Sequence, residues 1–121
     1  MKMIELLKRH MPNLEGKTIG ILGLSFKPDT DDVRKSKAFE IVAELVNEGA
    51  KVKAYDPQAM TNFQKVYPNH IQYSDPVQIM DSDAVLILTE WDEFNNLNYR
   101  GKLVIDGRMA VSYTHLRAHE T

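Results

Sequence analysis

The residues best suited to chemistry lie together in one polar stretch, Ser25-Phe26-Lys27-Pro28-Asp29-Thr30-Asp31-Asp32-Val33-Arg34-Lys35-Ser36. Lys27 offers a flexible point charge and Arg34 a planar fork, and both suit phosphate oxygens. The stretch runs from the end of an apolar segment to the start of a helix-spaced one. It therefore occupies the place where open α/β sheets bind ligands, at the carboxyl ends of strands. Ser36 is the expected helix N-cap, and the free N–H groups behind such a cap attract anions. The competing structural reading is a solvated loop whose acids Asp29, Asp31 and Asp32 neutralise its own bases. Arg108 follows another strand-like run and is expected on the same sheet edge. Asp56 ends a third run: it is placed to accept from a ribose hydroxyl, but an Asp-Pro turn is the more ordinary use of Asp56-Pro57. Trp91 and Phe94 follow a fourth, as a stacking surface or, more simply, as packing over the sheet edge.

Other chemistries find little support. The chain has no cysteine, so it has no thiolate nucleophile, thiolate metal site or disulfide. The histidines at 10, 70, 115 and 119 stand beside no carboxylate cluster, and no serine or threonine sits in a nucleophile elbow. Gly20 and Gly23 invite a dinucleotide reading. In G-x-G-x-x-G, however, the second glycine lets the backbone approach the pyrophosphate. Leu22 and Ser25 stand at the second and third positions counted from Gly20. The fingerprint fails, and both glycines read better as sites of close helix packing.

Regular elements must position these residues. Met3, Ile4, Leu6, Leu7 and Met11 give a short amphipathic helix. Residues 18–24 read as a central strand, apolar on both faces. Ala38, Ile41, Val42, Leu45 and Val46 recur at helical spacing, and Gly49 stands where a helix ends. Further strands are expected at 51–55, 71–73, 84–88 and 103–105, with a weak helix near 58–66 and a turn at 91–95. Asp75-Pro76 opens another helix, acid at the cap and proline behind it. Strands alternating with helices imply an α/β fold, a three-layer, doubly wound parallel sheet of about five strands in the order 3-2-1-4-5.

At 121 residues the chain is one domain, large enough to fold without staples. The net charge of −2 leaves no broad basic field for nucleic acid or an anionic membrane. No apolar run approaches the ~20 residues of a membrane span, and the start lacks a signal-peptide pattern. The cytoplasm is the expected location.

Several blocks together carry a family resemblance. Gly20-x-x-Gly23-Leu24-x-Phe26-Lys27-x-x-Thr30-x-Asp32-x-Arg34-x-Ser36 resembles the opening of the C-terminal domain of the UDP-glucose/GDP-mannose dehydrogenase family. Tyr55-Asp56-Pro57, then Asp83-Ala84 through Thr89-Glu90-Trp91-x-Glu93-Phe94, then Val104-Ile105-Asp106-Gly107-Arg108 follow in the family's order. The resemblance covers about residues 14–108. The Trp91-x-Glu93-Phe94 version is most similar to that of members oxidising UDP-glucose at C6 to the carboxylate in two NAD-dependent steps.

The resemblance implies that Phe26, Lys27 and Arg108 contact a UDP-sugar. It implies that Arg34 reaches NAD held mainly by an N-terminal domain. It places the catalytic cysteine and the NAD fingerprint in N-terminal and central domains upstream, in a homo-oligomeric enzyme, so no catalytic residue is expected here. Residues 1–13 become a helix and linker from the central region, 14–110 the UDP-sugar-binding domain, and 111–121 a non-native or disordered tail. The tail departs from the family after Arg108, where Met109 replaces the usual asparagine. Three other readings compete: a free-standing nucleotide-binding or regulatory module; the same domain of a GDP-mannose or UDP-N-acetylmannosamine dehydrogenase; and a receiver-like signalling domain, which lacks its paired acids after the first strand.

Overall fold

A computed structural model describes residues 2–107 and 111–113. Its elements are α1 (Lys2–His10), β1 (Thr18–Leu22), α2 (Ala38–Asn47), β2 (Lys51–Tyr55), α3 (Met60–Val66), β3 (Ile71–Tyr73), α4 (Pro76–Met80), β4 (Ala84–Ile87), a 3₁₀ helix (Asp92–Asn96), β5 (Leu103–Asp106) and β6 (Val111–Tyr113). The sheet order is β3-β2-β1-β4-β5-β6. The first five strands are parallel, in the doubly wound order that the alternating pattern implies.

Alternation along the central strands divides the core into two layers. Ile19 and Ile21 of β1, with Ala84 and Leu86 of β4, face α1, α2 and α3. Leu22, Val85 and Ile87 face α4 and the 3₁₀ helix, where Ile79, Trp91 and Phe94 cover them. Fully burying one such aliphatic side chain contributes about 1.5–3 kcal/mol. Gly20 is needed on the second face. A Cβ there would stand 2.8 Å from Ile79 Cγ2 and 2.9 Å from the Ile79 carbonyl oxygen, so α4 packs directly on the β1 backbone.

Local signals set the helix ends. Gly49 at φ 85° follows the C-cap of α2. Its N–H donates to Val46 O and that of Ala50 to Leu45 O, both at 3.0 Å, which is a Schellman closure. Asp75 caps α4 reciprocally: Oδ1 accepts from Gln78 N at 2.9 Å, and Asp75 N donates to Gln78 Oε1 at 3.2 Å. Ser36 acts slightly differently from the expected N-cap. Lys37 occupies the cap position, without a side-chain bond, and Ser36 Oγ accepts from Ala38 N at 3.1 Å. The turn closed by Ser36 N on Val33 O brings the chain into helical geometry a residue or two late.

Two findings bear on the ends of the domain. The amphipathic helix expected in residues 1–13 forms as α1, and its Ile4 and Leu7 are fully buried in the first core layer of the domain that follows. Lys8 Nζ also meets Glu48 Oε2 at 3.0 Å at the far end of α2. Residues 111–113, expected within a tail, form β6, antiparallel to β5 with Asp106 opposite Val111 and Val104 opposite Tyr113. Pairing there satisfies the backbone edge that β5 would otherwise leave open. Three residues are too few for a strand period to register in the sequence. The rest of the expected tail, 114–121, lies outside the described residues.

Candidate functional site

The site is built where β1 leaves the sheet. Gly23, at φ 103°, continues the ladder by donating to Tyr55 O at 2.8 Å. A Cβ on it would stand 2.5 Å from Thr89 N. The close approach expected of this glycine is therefore to the chain leaving β4, and not to a helix. Side chains then fold the next residues back. Leu24 N and Ser25 N donate to Asp56 Oδ2 at 2.7 and 3.0 Å. Thr89 Oγ1 donates to Ser25 O at 2.8 Å, and Ser25 Oγ to Lys27 O at 2.8 Å. Phe26 N donates to Asp32 O at 2.7 Å and closes the loop. Asp29 turns it at φ 64°, a conformation that aspartate tolerates better than most residues.

Beside this loop is a cavity of about 220 Å³. Its walls include Phe26 and Ser25, Ser36 between Lys35 and Lys37 at the entry to α2, Thr89 after β4 and Gly107 after β5. Met3 of α1 forms part of the floor. Phe26 is 50% exposed, an unusual expenditure of apolar surface for a large aromatic. Lys27 follows it, also exposed, and makes no ion pair among the described residues.

Arg34 lies elsewhere. It lines a second, open groove of about 530 Å³ with Asn62, Lys65 and Val66. Its guanidinium spreads on Asp32, with Nε at 3.1 Å from Oδ1 and Nη2 at 2.8 Å from Oδ2, and its own N–H reaches Oδ1 at 2.9 Å. The side-chain bonds from Arg34, then that N–H, hold the Asp32 carboxyl down at about 2. Arg108 lies outside the described residues. Its neighbour Gly107 lines the same cavity as Phe26.

Asp56 and Trp91 are not surface groups. Asp56 is 1% exposed, and its two oxygens accept five N–H groups. No lone pair remains turned outward for a ribose. Trp91 is buried in the second core layer, as the packing reading expects. Glu93 accepts from Tyr55 OH at 2.8 Å and tethers the 3₁₀ helix to β2. Burial first, then Glu93, pushes the Tyr55 hydroxyl up to about 12. Sequence reasoning did not single out Met3, Lys35 or Lys37. The Lys-Ser-Lys run before a helix was a usable signal, whereas Met3 reaches the cavity only through tertiary docking of α1. Among the described residues no cluster of three or more His, Asp or Glu is placed to hold a metal, and no helix is long and apolar enough to cross a membrane.

The fold and the loop at the carboxyl edge define an α/β domain of the nucleotide-binding type, with a ligand crevice outside its strand ends. Residues 20–113 match the UDP-binding domain of the UDP-glucose/GDP-mannose dehydrogenase family, and the chain belongs to that family. It is 41% identical over 118 residues to a UDP-glucose 6-dehydrogenase of Haloferax volcanii, covering 92% of this chain and 27% of the relative. It is 45% identical over 91 residues to that of Rickettsia bellii, covering 73% and 21%. It superposes on a UDP-glucose dehydrogenase structure from Pyrobaculum islandicum with a TM-score of 0.85 at 35% identity, covering 98% of this chain and 26% of that one. The chain thus spans about a quarter of the length of these relatives. The match to residue 113 includes β6.

Proposed function

We propose that this domain supplies the UDP-sugar wall of the active-site cleft in an NAD-dependent UDP-glucose 6-dehydrogenase, which takes UDP-glucose to UDP-glucuronate. The observation that carries the reading is the Phe26-Lys27 turn. It presents a half-exposed aromatic, and an exposed cation with no ion pair among the described residues, beside a cavity at the strand ends, where a nucleotide base and a diphosphate need those two partners. Phe26 and Lys27 hold the nucleotide, and Arg108, the residue after Gly107 in the sequence, holds the substrate with a bidentate fork.

The residues present do not form a dinucleotide cradle. Leu22 stands where the fingerprint needs a glycine, and Thr89 covers Gly23. NAD therefore belongs to another domain of a longer protein, with Arg34 facing it from the second groove. Oxidation at C6 through a covalent thioester needs a thiolate, which this chain does not contain. The role of the chain is to bind and orient.

UDP titration by chemical shift tests the reading on this chain, since one wall of a cleft gives weak binding. A charge-assisted hydrogen bond contributes about 1.5–3 kcal/mol, so Lys27→Ala weakens UDP about ten- to a hundred-fold. Arg34→Ala has a small effect. Equal affinity of wild type and Lys27→Ala refutes the site. Tighter binding of GDP-mannose than UDP-glucose moves the chain to another branch of the family.

A further inference from the structure

We infer that Trp91, with Asp56 and Ser25, is a positioning device that holds the Phe26-Lys27 segment ready for its nucleotide. The inference rests on the UDP-sugar reading of that segment. Trp91 Nε1 stands 3.2 Å from both Asp56 Oδ2 and Ser25 Oγ, and donates between them. Ser25 Oγ passes the constraint on by donating to the Lys27 carbonyl at 2.8 Å. The indole anchoring this relay is only 7% exposed and packs in the second core layer, while the cavity is walled by the loop and the α2 entry. Trp91 does not line that cavity, so it acts on a ligand only through the backbone it holds.

The two oxygens of Asp56 divide the work. Oδ1 accepts from Gln58 N at 2.9 Å and Ala59 N at 2.8 Å, which is ordinary capping ahead of α3. Oδ2 takes no part in that cap. It gathers Leu24 N, Ser25 N and Trp91 Nε1, all belonging to the site loop or its anchor. An Asp-Pro turn alone requires only the first set; the second fixes where the chain goes after β1 and at the same time satisfies the buried indole N–H that anchors it. A loop ordered before binding spares the ligand the entropy of ordering it. The exposed Lys27 side chain makes no ion pair among the described residues that would do so.

The experiment is backbone ¹⁵N relaxation and UDP titration on the full chain, comparing wild type, Trp91→Phe and Ser25→Ala. Phenylalanine keeps much of the ring bulk and deletes the N–H. Alanine deletes only the hydroxyl, so a folded variant is available even if the core substitution fails. The order parameters of Phe26 and Lys27 are expected to fall from about 0.85 towards 0.6 in both variants, and UDP affinity to fall about ten-fold in Trp91→Phe. A structural tryptophan would lower the melting temperature and leave those two amides as ordered as in wild type, and that result overturns the inference. Mobilised amides in a protein whose wild type binds no UDP would leave the brace standing and remove the UDP reading instead. UDP affinity unchanged in variants with mobilised amides would show that the brace does not serve the nucleotide, and would also overturn the inference.

Discussion

Two of the three cations in one short loop have opposite fates. Arg34 is committed to Asp32 through its guanidinium and its own N–H, whereas Lys27 makes no ion pair among the described residues. The sequence shows the three bases and the three acids, but not which acid takes which base. The pairing arises because Asp32 turns the chain: its Oδ1 accepts from Arg34 N at 2.9 Å, and that turn brings the guanidinium back onto the same carboxylate. The pair has a measurable signature. Asp32 titrates at about 2 in the folded chain, below the ordinary value of about 3.9. A depressed acid contributes stability above the unfolded value and loses it as pH falls through the folded one. The carboxyl ¹³C shift of Asp32 should therefore still report the ionised form at pH 3. Arg34→Ala should move its midpoint up towards the ordinary value, and a midpoint near 4 in wild type would contradict the geometry. The pair lies at the surface, so its contribution to stability is small.

Elements whose signals are local were legible. The Asp75-Pro76 cap, the Gly49 termination and the four-residue apolar run of β4 are all set by neighbours in sequence. The edge of the sheet was not. Strand β6 owes its existence to β5 across the ladder and has too few residues to announce itself. Chains ending after Tyr113 and after Ala110 separate its contribution. The shorter one loses the β5–β6 hydrogen bonds, net about 1 kcal/mol each, so its urea-derived stability should be lower by about 1–3 kcal/mol. Equal stability of the two chains would return residues 111–113 to the tail. Helix α1 teaches the same lesson from the other end. Its amphipathic spacing is visible in the sequence, but its docking against α2, with Met3 reaching the cavity, belongs to tertiary structure.

At the scale of the molecule, the domain presents its ligand-facing edge on one side of a complete two-layered core. Under the proposed function, Phe26 and Lys27 on that edge meet an aromatic base and an anion. The chain incubated with UDP-glucose and NAD should produce no NADH above a blank, since it carries no cysteine and no dinucleotide fingerprint. Turnover by purified chain would show that the reaction runs by residues not assigned any chemistry above.

By itself the sequence determined the α/β class, the order of the five parallel strands, the family and the loop that carries Phe26 and Lys27. Those follow from apolar period, from glycine and proline at turns, and from motif blocks in a fixed order, all readable along the chain. Only the tertiary structure decided that Asp56 is enclosed by five N–H groups and not offered to a ligand. It also decided that Gly23 yields to Thr89, and that Phe26 and Arg34 open onto different grooves. The physical reason is common to all three. A buried carboxylate must find its donors wherever the folded backbone places them, and residues 24, 25 and 91 become neighbours of residue 56 only when β1, β2 and β4 lie side by side.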